Sequence, residues 1–252
     1  MNIENKTALI TGGGSGIGLA IATAFAAKGA RIILTGRNEA KLKDAVATLS
    51  NASYIVADVA NATDVARLVQ RVKELYGKLD ILVNNAGISN GQLPDSATIY
   101  ELGKEEMDIN FLSILRLNQL FLPLLKESGD AAIVNIQSVL SYVPSLISVT
   151  YSATKAALHS YSQSLRLFLE QQGHAIKVFE VFPPLTETAM AKRIDAAKLT
   201  PEEIGNDVAA GVESDTFAIR SGITKDVYKA VLQSPETALL AINGMLDAKA
   251  AS

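Results

Sequence analysis

Tyr151 and Lys155 have the residue types and the spacing of a proton-transfer pair. Residues four apart lie on one face of an α-helix, about one turn apart. An ammonium group beside a phenol stabilises the phenolate, so the pair predicts a pKa for Tyr151 below the usual value of about 10. Ser138, thirteen residues upstream, could donate a hydrogen bond to an oxygen that gains charge. The Tyr–Lys spacing also fits a solvated helix face, so the surrounding sequence is needed to choose between these two interpretations.

Short apolar runs alternate with longer helical stretches along the chain. Asn61 is expected to open one helix that ends before Gly77, and Gly173 is expected to follow the end of another. Apolar strands separated by helices predict a parallel sheet covered on both faces. Strands are predicted at Thr7–Thr11, Arg31–Thr35, Tyr54–Ala57, Ile81–Val83, Ala132–Ile136 and Lys177–Phe182. The pattern therefore predicts a doubly wound α/β fold.

Residues 1–252 are expected to form a single domain, because no linker or sequence repeat divides them. Within it, residues 185–215 are interpreted as a lid or substrate segment and 216–252 as a variable C-terminal segment. In that last part the periodicity is weaker. It predicts a helix start at Thr200–Glu203, a short strand at Phe217–Arg220 and helix from Lys225 onward.

Composition excludes several functional classes. The formal net charge of −3 offers no general field for nucleic acid or anionic membrane, and the absence of cysteine rules out disulfides and thiol nucleophiles. The longest apolar stretch, Phe111–Leu125, contains Arg116 and Pro123 and is too short and polar to span a bilayer. No signal peptide is visible, so a cytoplasmic location is expected. His159 and His174 have no companion at metal-ligand spacing, so no metal is expected.

The glycine-rich run Thr11–Gly18 directly follows the first predicted strand and precedes a helix. Glycines permit a tight turn and let backbone amides approach a pyrophosphate at the positive end of a helix. Such a run can also be a purely structural turn. Its place between the first strand and the first helix favours dinucleotide binding and a Rossmann-type sheet.

The glycines at 12, 16 and 18, the run Asn84–Gly87, Asn110, Ser138 and the Tyr151–Lys155 pair together closely resemble the short-chain dehydrogenase/reductase family, in its short single-domain branch. The resemblance extends from about residue 6 to residue 190. It implies an alcohol dehydrogenase or carbonyl reductase that uses a nicotinamide cofactor.

Cofactor preference is expected to depend on the end of the second strand. An acidic residue there would accept the ribose hydroxyls of NAD, but Gly36 stands at that place. Arg37 follows and could pair with the 2′-phosphate of NADP, the alternative being that it is a solvated loop charge. NADP(H) is therefore favoured over NAD(H). The resemblance implies this cofactor-binding set: Gly12, Ser15, Gly16, Ile17, Gly18, Arg37, Asp58, Val59, Asn84, Ala86, Gly87, Tyr151, Lys155, Pro183 and Thr188.

The resemblance also implies the catalytic roles. Tyr151 is expected to be the general acid/base and Ser138 to hydrogen-bond the carbonyl oxygen. Lys155 is expected to bind the nicotinamide ribose and stabilise the phenolate, and Asn110 to help hold a water of the proton relay. Taken singly, each residue has an ordinary structural explanation, such as a strand end or a buried polar group.

The chain departs from the family after the sixth strand, where Pro184 replaces the usual glycine. This double proline resembles the DltE-like oxidoreductases. The C-terminus lacks the usual tetramer-forming run, and apolar helices around 101–125 and 152–171 resemble the family's dimer-forming pair. A homodimer is therefore expected ahead of a homotetramer.

A small hydrophobic carbonyl or alcohol is the expected substrate, because the segment Val139–Thr150 beside Tyr151 is strongly apolar. Half of those side chains could instead pack in the core or in a subunit contact. In the segment after Thr188, Lys192 and Arg193 could meet an anionic group, although a solvated face is favoured. The alternative function is a non-catalytic NADP(H)-binding sensor or scaffold, and a third is an epimerase or dehydratase that uses transient oxidation.

Overall fold

The structure is a computed structural model that describes residues 1–192 and 194–245. Its centre is a seven-stranded parallel sheet in the order β3-β2-β1-β4-β5-β6-β7. The strands are β1 (Thr7–Thr11), β2 (Arg31–Gly36), β3 (Ala52–Val56), β4 (Ile81–Asn84), β5 (Ala131–Ile136), β6 (Ile176–Phe182) and β7 (Ala218–Arg220). The predicted doubly wound α/β fold is confirmed, and each predicted strand agrees with an observed one to within two residues.

Helices cover both faces of this sheet. They are α1 (Gly16–Ala27), α2 (Glu39–Ala47), α3 (Ala62–Tyr76), α4 (Ile99–Met107), α5 (Ser113–Lys126), α6 (Val149–Gln171), α7 (Pro201–Glu213), α8 (Thr224–Gln233) and α9 (Pro235–Ile242). None of the helices in the described ranges is long and apolar enough to cross a membrane.

Alternate residues of β1 to β6 enter two separate apolar clusters, one on each face, whereas β7 contributes Ile219 to one of them. Ile10 packs with Phe25 of α1, whereas its neighbour Leu9 packs with Leu68 and Phe121 on the opposite face. Adjacent strand side chains point to opposite faces of a sheet, so a strand buried on both sides must be apolar throughout. This is why β1, β4 and β5 read as continuous apolar runs rather than as alternating ones.

The predicted helix caps are found where the sequence places them. The Asn61 side chain accepts hydrogen bonds from two amides of the first turn of α3, and Thr200 forms a reciprocal capping box with Glu203 at the start of α7. Gly77 and Gly173 both have positive φ just beyond helix ends. Local sequence therefore fixes these boundaries.

The predicted lid or substrate segment 185–215 divides into two structurally different parts. Its second half is α7, whose Ile204 and Val208 are fully buried in the same cluster as Phe25. A Cβ added at Gly205 would lie 2.6 Å from the carbonyl oxygen of Ala20, so α7 packs directly against α1. Among the described residues before α7, Leu199 packs against the same cluster, whereas Met190 is 46% exposed.

Candidate active site

The glycine turn forms a backbone cradle at the carboxyl end of β1. Gly16 has a φ of 56°, a conformation that favours glycine, and begins α1. A Cβ at Gly18 would lie 2.5 Å from the carbonyl oxygen of Gly12, so the turn closes too tightly for any side chain there. Ser15 is the N-cap of α1, but its exposed side chain caps no amide. Gly12, Ser15, Gly16, Ile17 and Gly18 therefore present an open helix N-terminus, which suits a pyrophosphate.

Asn85 holds this cradle in place. Its side-chain nitrogen donates to the carbonyl oxygens of Thr11 at 2.8 Å and Gly12 at 3.3 Å. The Thr11 hydroxyl in turn accepts the backbone amides of Asn85 and Ala86. These bonds join the ends of β1 and β4, which is where the strand order reverses and where ligands bind in such sheets.

Asn84 has a different environment from the one expected of a cofactor contact. Its side chain is 1% exposed and donates to the side-chain oxygens of Asn118 at 3.0 Å and Asn135 at 2.8 Å. This buried amide network lies inside the sheet–helix layer, so only the backbone of Asn84 faces the strand end. The hydrogen bonds at the end of the strand are made by the neighbouring Asn85 instead.

The end of β2 carries an unpaired cation. Arg37 is exposed, and its side chain has no hydrogen-bond or ion-pair partner within the described ranges. Asn38 caps α2 by accepting the amide of Lys41. A Cβ added at Gly14 would lie 3.3 Å from the Cβ of Lys41, so this second cation begins directly beside the glycine turn. Arg37 and Lys41 thus make this corner of the cleft positive.

Asp58 and Val59 lie just beyond β3. One oxygen of Asp58 accepts the amide of Ala60, and the Asp58 amide donates to Asp64 at 2.9 Å. Val59 is 6% exposed and packs into an apolar cluster. Both residues therefore shape the outer edge of the cleft next to β2, with Val59 offering mainly its backbone.

Ser138 sits just beyond β5 and opens a short 3-10 turn. Its hydroxyl accepts the amide of Leu140 at 3.1 Å, and Ser141 closes a capping box on it. Ser138 is 8% exposed. This turn fixes the direction of the hydroxyl, which comes close enough to Tyr151 to affect its pKa.

Tyr151 and Lys155 lie in the first turns of α6, as their spacing predicts. Burial raises the pKa of Tyr151 to about 12, while the hydrogen-bonding influence of Ser138 lowers it and the charge of Glu106 raises it further. The expected lowering of this pKa by Lys155 is therefore wrong for this structure. Desolvation is the larger effect, because Lys155 Nζ lies 5.6 Å from the centre of the Tyr151 ring.

The ammonium group of Lys155 forms its hydrogen bond with a backbone carbonyl oxygen of the sheet rather than with the Tyr151 hydroxyl. Its Nζ donates to the carbonyl oxygen of Ile136 at 2.7 Å, at the end of β5. The side chain is 4% exposed, and burial lowers its pKa from 10.5 to about 8. The ammonium group is thus fixed at the carbonyl of Ile136, two residues before Ser138, so both side chains belong to the same site.

Asn110 lies in a π-helical segment, Asp108–Leu112, between α4 and α5. Such bulges are frequent at functional sites because they reorient a side chain. The Asn110 side chain donates to the Ile88 carbonyl oxygen at 2.9 Å and accepts the Ile88 amide at 2.9 Å. It also donates to the hydroxyl of Thr154, so it joins the segment after β4 to the helix that carries Tyr151.

The segment after β6 closes the cleft opposite the glycine turn. The carbonyl oxygen of Pro183 accepts the amide of Val139, and Pro184 occupies the place of the missing glycine. A Cβ added at Gly16 would lie 3.2 Å from the methyl group of Thr188, so Thr188 faces the turn directly. Gly87 likewise faces Asn110, at 3.1 Å by the same measure. The predicted residues therefore lie around one cleft, with the side chain of Asn84 as the exception.

The apolar segment Val139–Thr150 divides between the core and the surface. Val143 is 2% exposed and Tyr142 stacks on Phe182 with ring centres 4.5 Å apart. Leu146 and Ile147, in contrast, are about half exposed, at 47% and 56%. Packing in the core thus applies to Val143 and Tyr142, whereas Leu146 and Ile147 remain available to a substrate or a subunit contact.

His159, for which no metal-binding role is expected, is held by two neighbouring side chains. Its Nδ1 lies 2.6 Å from a Glu180 carboxylate oxygen, and its ring packs edge-on against Tyr142. His159 thus joins β6 to Tyr142, the residue that ends the 3-10 turn opened by Ser138. Arg193, one of two cations considered for an anionic group, lies outside the described residues, and its neighbour Lys192 is exposed.

A family model for short chain dehydrogenases matches residues 6–199. The chain belongs to the short-chain dehydrogenase family. As an oxidoreductase of this family it is similar to an uncharacterised oxidoreductase from Staphylococcus aureus (strain USA300), with 35% identity over 213 residues, covering 82% of this chain and 90% of that protein. It is also similar to the uncharacterised oxidoreductase DltE from Bacillus subtilis (strain 168), with 36% identity and coverage of 77% and 76%. The DltE-like resemblance is thereby confirmed.

Two solved structures of short-chain dehydrogenases share the fold. One, from Burkholderia cenocepacia J2315 in complex with NADP, has a TM-score of 0.85 and 28% identity, covering 96% of this chain and 98% of that one. The other, from Burkholderia phymatum in complex with NAD, has a TM-score of 0.85 and 23% identity, covering 96% of each chain.

Three residues of this short-chain dehydrogenase site were missed by the sequence interpretation. Asn85 fixes the glycine turn, Lys41 adds a cation beside it, and Glu106 places a fully buried carboxyl group near Tyr151. Asn85 lies within the run Asn84–Gly87, so that motif could have indicated its role. Lys41 and Glu106 come close to the site only through packing of α2 and α4, which no local pattern indicates.

Proposed function

We propose that the protein is an NADP(H)-dependent oxidoreductase that interconverts a secondary alcohol and a ketone or aldehyde by hydride transfer. The observation that carries this proposal is the convergence of Ser138, Tyr151 and Lys155 at the end of β5 and the start of α6, opposite an open glycine cradle. A proton donor beside a dinucleotide-binding turn is the arrangement that carbonyl reduction requires.

The residues present fit a nicotinamide dinucleotide. The cradle leaves no room for a Cβ at Gly18, has a positive φ at Gly16 and exposes the first amides of α1, as a pyrophosphate needs. A bound nicotinamide would supply or accept the hydride. Thr188 and Lys155 would hold its carboxamide and ribose ends, and Ser15 would face the phosphates.

The protein side chains would then manage the proton. In reduction, the carbonyl carbon gains the hydride while Tyr151 Oη gives its proton to the carbonyl oxygen and becomes phenolate. Ser138 would donate a hydrogen bond to the same oxygen and stabilise its developing negative charge. The buried Lys155 would stabilise the phenolate, and Asn110 would order the route by which the proton is replaced. Oxidation of the alcohol reverses each of these transfers.

The half-exposed Leu146 and Ile147 support a hydrophobic substrate, because they present apolar surface on the segment that leads to Tyr151. Exposed Leu167 and Phe168 on α6 support the homodimer that we also propose, with this helix in the contact. The direct test of function is a panel of hydrophobic ketones, aldehydes and secondary alcohols, assayed with NADPH and NADH. Absence of turnover across the panel would contradict the proposal.

The preference for NADP(H) is expected to depend on Arg37. An unpaired, exposed guanidinium can bind a 2′-phosphate in bidentate fashion, and no carboxylate at Gly36 competes for a ribose hydroxyl. Arg37→Ala should weaken NADPH binding about tenfold, equivalent to about 1.4 kcal/mol, and leave NADH binding unchanged. Fluorescence titration of both cofactors measures this.

The matched control for that experiment is Lys43→Ala, which removes an exposed cation from α2, the helix that begins two residues after Arg37. It should alter neither affinity. Tighter binding of NADH than NADPH by the wild-type protein would overturn the cofactor proposal.

The segment before α7 is expected to become ordered when cofactor binds. Its base is closed by hydrogen bonds from Leu199 to Leu185 and from Glu187 to Leu199, but Met190 is 46% exposed. Contacts from a bound cofactor to Thr188 should restrain it. Saturating NADPH should slow tryptic cleavage after Lys192 about tenfold, an effect of about 1.4 kcal/mol. Cleavage after Lys229, on α8, serves as the control, and equal slowing at both sites would contradict lid ordering.

A further inference from the structure

We propose that Asn243, at the end of α9, is a positioning residue that holds the loop of residues 143–148, just before α6, and thereby determines which apolar groups the site accepts. This inference rests on the proposed function, since it concerns one wall of the same site. Asn243 lies in the variable C-terminal segment, outside the glycine turn and the Ser138–Tyr151–Lys155 group.

The side-chain amide of Asn243 joins α9 to the 143–148 loop. Its Oδ1 accepts the backbone amide of Leu146 at 2.8 Å, and its Nδ2 donates to the carbonyl oxygen of Pro144 at 3.0 Å. Nδ2 also donates to the carbonyl oxygen of Leu239, in the last turn of α9, at 2.8 Å. A side-chain amide has one acceptor oxygen and two donor hydrogens, so the loop and the helix together use both ends of this group.

These hydrogen bonds fix the loop where its apolar wall begins. They hold the backbone on both sides of Ser145, whose own amide donates to the hydroxyl of Ser152 at 3.2 Å, one residue beyond Tyr151. The half-exposed side chains of Leu146 and Ile147 follow directly. Their position relative to Tyr151 is therefore determined by α9 on one side and by α6 on the other.

The far end of the loop has other contacts, but its middle depends on Asn243. The carbonyl oxygen of Gln92 accepts the amide of Val149, and a Cβ added at Gly91 would lie 3.8 Å from the carbonyl oxygen of Ile147. The Leu146 amide, in contrast, has no second hydrogen-bond partner within residues 1–192 and 194–245. Removing the Asn243 side chain would therefore free the backbone that carries the apolar wall.

The neighbouring helix α8 makes a second contact with the same part of the chain. Its Tyr228 packs against Tyr142, with ring centres 4.8 Å apart, just before the 143–148 loop. The Arg220 guanidinium lies 3.7 Å from the centre of the Tyr228 ring and donates from Nε to the Tyr142 hydroxyl at 3.0 Å. A cation over an aromatic face is attracted to it. The packed pair α8 and α9 therefore contacts this segment at two places, and Asn243 makes the contact nearer to the exposed apolar side chains.

A wall that is held in place contributes binding energy only to a substrate large enough to reach it. Well-fitting apolar groups in such a pocket change specificity by about tenfold or more, because a fixed surface excludes water from them. The inferred substrate class is therefore a ketone or secondary alcohol that carries one bulky apolar substituent. Its small substituent and its oxygen would need no contact with the loop.

Asn243→Ala is tested with acetophenone and acetone, two methyl ketones that differ only in the size of the second substituent. Its kcat/KM for acetophenone should fall about tenfold, mainly through KM, whereas kcat/KM for acetone and the affinity for NADPH should change by less than about twofold. The matched control is Gln233→Ala, which removes an exposed side-chain amide from the end of α8 and should match the wild type. Equal losses for both ketones, or a loss of NADPH affinity, would show a general structural role and overturn the inference.

A second measurement requires no turnover. Hydrogen–deuterium exchange of peptides spanning residues 143–148 should be about tenfold faster in Asn243→Ala than in the wild type or in Gln233→Ala, because the Leu146 amide loses its acceptor. Asn243→Asp keeps an acceptor for that amide but cannot donate to Pro144, so it should show a smaller change in both measurements, and it replaces the alanine variant should that protein not fold.

The two measurements separate this inference from the proposed function. If exchange accelerates but no member of the substrate panel is turned over, the oxidoreductase function falls, and the role of Asn243 in substrate choice falls with it. If turnover is found but neither the exchange nor the acetophenone KM changes, the function stands and the role of Asn243 falls.

Discussion

Tyr151→Phe is expected to lower kcat for carbonyl reduction by about 10²–10⁴-fold, the usual contribution of a positioned general acid. Removing the hydroxyl leaves the carbonyl oxygen with Ser138 as hydrogen-bond donor but without a proton source. The ring itself stays, so the packing of the first turns of α6 is preserved. Steady-state kinetics with the best carbonyl of the panel measures the loss, and fluorescence titration should show nearly unchanged NADPH affinity.

Tyr100→Phe is the matched control, because that hydroxyl belongs to a side chain that is 75% exposed on α4. Its kcat should equal that of the wild type. Turnover by Tyr151→Phe at the wild-type rate would remove the proposed acid/base role, and with it the mechanism written above.

The same comparison separates the oxidoreductase from its main rival, a protein that binds NADP(H) without turnover. A sensor or scaffold would need the glycine cradle and Arg37 but would place no demand on Ser138 or Lys155. Lys155 is buried although burial destabilises its charge and lowers its pKa, and the turn that carries Ser138 is closed by a capping box. Holding both groups so firmly favours catalysis over binding alone.

Local sequence was sufficient for the sheet and most of the cleft, for physical reasons. Buried parallel strands must be apolar, and a turn as tight as that at Gly18 admits no side chain. The sequence therefore shows an apolar run for each such strand and a glycine-rich run for the turn. Parallel strands also end at one edge, so residues that follow β1, β4, β5 and β6 must meet there. That is why distant motifs could be combined into one site.

Two features could not be read in this way, because they depend on what surrounds a side chain. The spacing of Tyr151 and Lys155 is correct, but the sign of the Tyr151 pKa shift follows from burial and from Glu106, which approaches from another helix. Asn84 stands at the end of a strand, as a cofactor contact would, yet its side chain is used by Asn118 and Asn135. A motif fixes the backbone position of a residue but not the partners of its side chain.

Lys155→Met is expected to abolish most activity and at the same time to stabilise the folded protein. The methionine side chain fills a similar space without a charge, so it cannot stabilise a phenolate or bind a ribose, and kcat should fall by at least about 10²-fold. Burial lowers the pKa of Lys155 from 10.5 to about 8, which at about 1.4 kcal/mol per unit makes the charged lysine cost about 3 kcal/mol at neutral pH. Loss of the hydrogen bond to Ile136 offsets about 1 kcal/mol of this, so the net gain in unfolding free energy should be about 2 kcal/mol.

The pH dependence of that gain identifies its cause. A lysine with a lowered pKa binds fewer protons when folded than when unfolded, so the stability of the wild-type protein rises between about pH 8 and about pH 10.5. The advantage of Lys155→Met should therefore be largest below pH 8 and should give way to a deficit of about 1 kcal/mol as the pH approaches 10.5, where only the lost hydrogen bond remains. Urea unfolding at several pH values measures both proteins, and Lys126→Met, which alters an exposed lysine at the end of α5, should stay within about 0.5 kcal/mol of the wild type throughout. A Lys155→Met protein that is less stable than the wild type at pH 7 would show that Lys155 stabilises the fold. It would contradict the prediction that the charged lysine serves catalysis while destabilising the folded protein.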